Sequence, residues 1–214
     1  MTEISSGMHV PAPRPSIRGV LSETDFALEA APDADTRETI LESAVALFRE
    51  RGVAETSIRD IVDHSGAPLS TVFHQFPRGK DQLAAEATER AGAFMASLLE
   101  ALVEGDAEAA VSKFVTYWTM TMRSSSFRDG CPAAAATLAT TTPSARRAAG
   151  AAFGHWEELL TDALVSSGRE DADASSLATL IIAAVGGALI LSRAQESNEP
   201  LRKVGVQLRA LLAG

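Results

Sequence analysis

From Ala174 to Ser192 the chain carries no charged residue, and Leu177 to Leu191 is almost wholly apolar. At 19 residues this stretch is close to the length that spans a bilayer as a helix. It must therefore be enclosed, by lipid or by protein. Ala178, Ala183, Ala184, Gly186, Gly187 and Ala188 are small, which lets a second helix approach closely in either setting. No aromatic belt and no lysine-rich flank brackets the stretch. The reading adopted is a fully buried helix at a subunit interface, and no membrane partner is expected.

The remaining residues also favour helices. Alanine, leucine and valine are the filler, and aromatics are only 5%, against a β-sandwich or barrel. A chain of 214 residues holds one or two domains and buries a core without disulfides or metal. Acidic residues outnumber basic ones by 28 to 19, a net charge of −9. That excludes a non-specific coat for nucleic acid and leaves room for a small local DNA-binding face. The single cysteine, Cys131, cannot form an intrachain disulfide. With no apolar signal segment in the first thirty residues, a reducing cytoplasm is expected.

Residues 1–34 hold four prolines and no helical period, and read as a disordered extension. Arg14 and Arg18 within it suit a minor-groove arm or a solvated tail; its surplus of acids favours the tail. Asp35 or Thr36 then caps a helix, with Glu38 placed for a capping box. Ile40, Leu41, Ala44, Val45, Leu47 and Phe48 form its apolar face, and Gly52 ends it. Thr56 or Ser57 caps a second helix that stops at Ser65-Gly66. Pro68 opens a third, Leu69 to Gln75, with Val72 and Phe76 inward. Pro77-Arg78-Gly79 breaks it. A long helix follows from about Lys80 to Val103, ending near Gly105. Asp106 caps the next, to about Arg123, and Pro132 starts a short alanine-rich one to about Thr140. Pro143 or Ser144 begins a helix to about Ser167, Asp171 or Asp173 opens the apolar helix, and Pro200 opens the last. No strand pattern appears. The chain reads as all-α.

The informative segment is Ser57 to Lys80. Two short helices meet at a tight turn containing Gly66, braced by the preceding helix, which is helix-turn-helix spacing. His64 to Lys80 contains no acidic residue in this acidic chain, and carries Arg78, Lys80, His64, His74, Ser70, Thr71 and Gln75. A helix in a major groove keeps carboxylates off phosphates and brings short polar groups to base edges. The bland alternative is a polar turn that lacks acids by chance. The helix spacing decides for DNA binding.

Residues 36–89, TRETILESAVALFRERGVAETSIRDIVDHSGAPLSTVFHQFPRGKDQLAAEATE, resemble the DNA-binding domain of TetR-family transcriptional regulators. The T-S-I-R-D-I run, the S-G-A turn, the F-H-Q-F end and the P-R-G-K-D-Q-L run carry the resemblance. The segment SSFRDGCPAAA, Ser125 to Ala135, also looks like the G-C-P motif of the LmrA/YxaF-like subgroup. The resemblance implies a helix-turn-helix domain at 35–90 and a larger helical ligand-binding and dimerisation domain at 91–214. It implies a homodimer on a palindromic operator, usually a repressor, that responds to a small molecule. It places Ser57, Arg59 and Lys80 at phosphates, and Pro68, Leu69, Ser70, Thr71 and His74 at the major groove. The family often has Lys or Arg where Leu69 stands, and Tyr where Phe73 stands. Leu69 can touch a thymine methyl, whereas Phe73 lacks the hydroxyl that would reach a phosphate.

The resemblance also favours a pocket between the later helices. Phe94, Met95, Leu98, Phe114, Trp118, Met122, Phe127 and Trp156 are its candidate lining for an apolar or aromatic ligand, the alternative for each being plain core. Tyr117, Arg123 and His155 are candidate polar anchors. Helices 143–167 and 173–195 are the candidate dimer interface, which two DNA-reading units on a two-fold require. Cys131 reads as structural, since it has no resolving partner. Phosphate-cradling, nucleophile-elbow and H-E-x-x-H patterns are absent and the four histidines are dispersed, so no enzyme, cofactor or metal is expected.

Overall fold

The computed structural model describes residues 34–103 and 107–213. The regular structure among them is α-helical, in nine helices. These are α1 (Ala34–Arg51), α2 (Ile58–Ser65), α3 (Leu69–Gln75), α4 (Lys80–Val103) and α5 (Ala107–Ser124), then α6 (Pro132–Thr137), α7 (Pro143–Ser166), α8 (Asp171–Ala194) and α9 (Glu199–Ala213). The all-α expectation holds. The expected disordered extension with Arg14 and Arg18, the Gly105 stop and the Asp106 cap lie outside the described residues.

Local chemistry sets most boundaries. Ser57 caps α2 in a full capping box with Asp60. Gly66 closes α2 at φ 71°, a left-handed value that glycine adopts without strain. Pro132 and Pro143 each occupy a first helical turn, where a missing N–H costs nothing. Two expectations fail. Asp35 and Thr36 lie inside α1, whose described start is Ala34, and Glu38 pairs with Arg90 instead of closing a capping box. The alanine-rich helix stops at Thr137, short of Thr140.

Helix α1 packs on the N-terminal part of α4, and α2 and α3 pack on α1 and on each other. Ile40, Phe48, Ile61, Val72, Phe76 and Leu83 are all fully buried there. The Arg37 guanidinium sits 5.0 Å from the centroid of the Phe76 ring and pairs with Glu86, so a cation closes the seam between α1 and α4.

Beyond this head, α4 crosses α7, and α7 in turn packs on α6 and α8. A side chain at Gly92 would put its Cβ 2.8 Å from the Cβ of Ala152, so the crossing requires glycine. Trp156 Nε1 donates to the Gly92 carbonyl at 3.0 Å across the same contact. On the far side α9 packs against α5 and α8, with Gly205 against Val115.

Helix α8 meets the length and composition test for a membrane span. Its Leu177, Ile181, Val185 and Leu189 are nevertheless buried within the chain. Burial is one-sided, because Leu180, Ile190 and Leu191 on the other flank are exposed.

Gly92→Ala is expected to destabilise the fold by about 1–3 kcal/mol through overpacking, a Tm loss of several degrees in a chain of this size. Adding Ala152→Gly should recover part of that loss in a thermal-denaturation double-mutant cycle. Additive losses would show that the two positions do not collide.

Candidate functional site

The helix-turn-helix is built around a small apolar wedge. Ile61, Ala67, Val72 and Phe76 are buried between α1, α2 and α3. This turns the other side of α3 outward. Leu69 and Phe73 are each 49% exposed, Ser70 and His74 are exposed, and Thr71 is partly buried beside them. Pro68 is the N-cap of α3, one position earlier than its expected place in the helix. Arg59 is exposed on the first turn of α2, and Arg78 is exposed in the turn before α4. The outward face of α3 carries no carboxylate.

Two expected phosphate-binding groups already have partners. Ser57 Oγ donates to Asp60 Oδ2 at 2.5 Å and the Ser57 N–H donates to the same oxygen at 2.7 Å. Those bonds, with the nearby Arg51 cation, hold the Asp60 carboxyl below its ordinary range. Lys80 Nζ donates to the Ala54 carbonyl at 3.1 Å. Burial lowers its pKa, against the raising effect of the Glu55 and Asp60 charges. A phosphate at either residue must compete with these internal contacts.

The C-terminal helices form a partly open cavity of about 200 Å³ between α4, α5, α6, α7 and α8, with the exposed Ala183 and Gly187 of α8 in its wall. Of the eight candidate pocket residues, Met95, Phe114, Trp118 and Trp156 line it. Phe94 does not. It is 59% exposed and instead lines a groove of about 560 Å³ formed with α1 and α5. Met122 is fully buried core and lies outside the cavity lining, as does Leu98. Phe127 sits in the α5–α6 turn at φ 60°, with its N–H donating to Met122 O at 2.7 Å, and lines neither space. Side-chain size and apolarity marked all eight, but Phe94 lines the outer groove, Met122 is core, and Leu98 and Phe127 pack against that core. Arg123 and His155 are exposed and outside both spaces, whereas Tyr117 lines the groove.

Phe153 and Leu160 were missed, although both line the cavity. They lie three residues before and four after Trp156, one helical face that the tryptophan already marked. Ile182, Gly186 and Leu189 were also missed. No sequence signal distinguishes one side of α8 from another, because its apolar surface runs nearly all round.

Two sets of polar contacts join the first helices to the later ones. The Asp81 carboxylate, next to Lys80, accepts from Ser144 N at 3.0 Å and from Ser144 Oγ at 2.7 Å. Thr142, the formal N-cap of α7, makes no side-chain cap bond. Asp81 therefore caps α7 from another helix, and the Ser144 hydroxyl chiefly holds its pKa down. At the other end of the head, the last carbonyls of α1 are capped by the G-C-P segment and α8. Gly130 N donates to Arg49 O at 2.9 Å, Arg193 Nη2 donates to Glu50 O at 2.5 Å, and Arg49 pairs with Asp129 at 2.7 Å. Cys131 follows in this segment and borders the cavity; burial pushes its thiol pKa up, opposite to the shift that activates a thiolate.

Known proteins are similar to this chain in sequence and fold. The family described as "Bacterial regulatory proteins, tetR family" matches residues 40–87. "Transcriptional regulator LmrA/YxaF-like, C-terminal domain" matches residues 107–207. An HTH-type transcriptional regulator of Mycobacterium tuberculosis is 35% identical over 184 residues, covering 82% of this chain and 93% of that protein. The HTH-type transcriptional regulator YxaF of Bacillus subtilis is 29% identical, covering 83% and 95%. The crystal structure of a TetR transcriptional regulator from Legionella pneumophila superposes with a TM-score of 0.76 at 24% identity, over 85% of this chain and all of that one (100%).

Ser144→Ala removes the hydroxyl donor from Asp81 but leaves the backbone N–H cap bond, and is expected to cost about 1 kcal/mol at pH 7, the usual net worth of one hydrogen bond. A lowered folded pKa stabilises above the unfolded value, and that stability is lost as pH falls through the folded one. The gap between wild type and variant should therefore narrow below about pH 4, read by urea unfolding at pH 7 and pH 3. A gap unchanged at pH 3 would show that the Asp81 charge plays no part.

Proposed function

The chain belongs to the TetR family of bacterial regulatory proteins, and on that premise we propose that this DNA-binding transcriptional regulator is a cytoplasmic repressor. In this reading it binds a palindromic operator as a homodimer and leaves it when a small apolar or aromatic ligand fills the inner cavity. The observation that carries the reading is the outward face of α3. It holds exposed Leu69, Ser70, Phe73 and His74, with Thr71 beside them, on a helix whose opposite side is anchored by fully buried Val72. Thr71 and His74 supply short polar groups for base edges and Leu69 meets a thymine methyl. Arg59, Lys80 and Ser57 flank them towards the phosphates, with Pro68 at the start of the reading helix.

Residues 35–90 then form the reading head and 91–214 the effector and dimerisation domain, with α4 running through the boundary unbroken. Two-fold pairing through α7 and α8 is supported by the exposed flank of α8, where Leu180, Ala183, Gly187 and Ile190 recur at helical spacing. An apolar stripe of this kind is what a partner copy covers. Ligand control works as a population shift. A molecule that prefers the conformer with the wrong spacing of reading heads releases DNA by no more than its differential affinity for the two conformers. Helix α4 links the two ends, with Lys80 at its start and Met95 and Leu99 in the cavity wall.

Lys80→Ala should weaken binding to all sequences alike and reduce the salt dependence by about one unit of slope. Thr71→Ala or His74→Ala should relax base preference, at about 1–3 kcal/mol per lost base contact. Fluorescence anisotropy with promoter fragments at several salt concentrations separates the two effects, and wild-type binding by all three variants would reassign the face. Leu180→Glu should give monomers at micromolar concentration by analytical ultracentrifugation and lose operator affinity. A variant that stays dimeric would move the interface away from α8.

A further inference from the structure

We propose that Arg193 is a positioning residue for DNA binding: from the last turn of α8 it caps the end of α1 and so holds the reading head at a fixed angle to the body. The inference deepens the reading above, in which the spacing of the heads governs operator affinity.

The joint lies where α1 ends. Phe48 O accepts from Gly52 N at 3.1 Å, a bond closed by the turn itself. The next two carbonyls take partners from far along the chain. Arg49 O accepts from Gly130 N at 2.9 Å and, at a longer 3.5 Å, from Arg193 Nη1. Glu50 O accepts from Arg193 Nη2 at 2.5 Å. A guanidinium suits this place, because two of its nitrogens meet two adjacent carbonyls at the negative end of a helix dipole. Two other arginines at the joint are ion-paired, Arg49 with Asp129 and Arg128 with Glu50. Arg193 gives its donors to the backbone.

A groove of about 380 Å³ lies between α8 and the end of α1, with Phe48 and Val53 on the head side and Gly186 and Leu189 on α8. Arg193 lines the same groove and bridges its two sides. Gly186 and Leu189 also wall the inner cavity. Leu189 stands four residues before Arg193, about one helical turn. A shift of α8 at the cavity is therefore carried to the guanidinium. The bonds from Arg193 are exposed, so water replaces the guanidinium when it withdraws and no buried orphan carbonyl opposes release. The contact can open and close reversibly. This route from cavity to head runs through α8, apart from the unbroken α4.

Spin labels at Asp63→Cys on α2 and Gln207→Cys on α9, both exposed positions, report the head-to-body distance by double electron–electron resonance in a Cys131→Ala background. A large excess of unlabelled chain keeps the measurement within one chain, whether or not copies pair. Arg193→Met retains an unbranched side chain and removes the donors. It is expected to broaden a narrow wild-type distribution, with Arg193→Lys between the two. Arg202→Met, which removes an exposed arginine paired within α9, should leave the distribution narrow. In unlabelled chains Arg193→Met should weaken binding to the promoter fragment roughly tenfold, about 1.4 kcal/mol, with the salt dependence of wild type. A distribution unchanged in Arg193→Met would overturn the proposal, even with a lowered Tm, since the cap would then be structural only. Equal broadening by Arg202→Met, or a wild-type distribution already broad, would do the same. A salt slope reduced by about one unit would make Arg193 a phosphate ligand instead. A broadened distribution with wild-type DNA affinity keeps the cap as the joint that holds the head and removes control by head spacing.

Discussion

The crossing of α4 and α7 at Gly92 is the contact on which the remaining architecture depends. With no side chain at Gly92 and only a methyl at Ala152, the two helices approach until the Trp156 indole reaches the Gly92 carbonyl. That approach fixes where α7 stands, and α7 in turn carries α6 and α8. The cavity is the space left beside the crossing, walled by residues immediately along the same helices, Met95 and Leu99 on one and Phe153 and Leu160 on the other. That close contact thus helps set the shape of the C-terminal helical domain.

The head is attached to this frame by exchanged helix caps. Asp81 of α4 supplies the cap that Thr142 does not give to α7, and Gly130 with Arg193 supplies the caps for the end of α1. Helix ends have orphan N–H and C=O groups that need partners. Taking those partners from another part of the chain links helix integrity to the angle between head and body. Such a link is stiff to small rotations and breaks at larger ones, which is what the proposed control by head spacing requires.

Much of the helix order was readable from local rules, since Ser57, Gly66, Pro132 and Pro143 act through their own backbone neighbours. The start of α1 was not. Asp35 and Glu38 have the chemistry of a capping box, but Glu38 is drawn to Arg90 on α4. For the cavity, Met95, Phe114, Trp118 and Trp156 were found by side-chain size, whereas the same criterion also drew in Met122 and Phe127. Size and apolarity are shared by core and cavity wall, and only the position of the neighbouring helix tells them apart.

By itself the sequence determined the helical class, the helix-turn-helix and the need of residues 174–192 for enclosure, because period, caps and charge are properties of nearby residues. Tertiary structure decided which flank of α8 turns inward, why Gly92 must be glycine, and which carboxylate caps α7. Each of these depends on two segments meeting that lie far apart in the chain. Their approach is set by the packing of all the helices together, which no local pattern encodes.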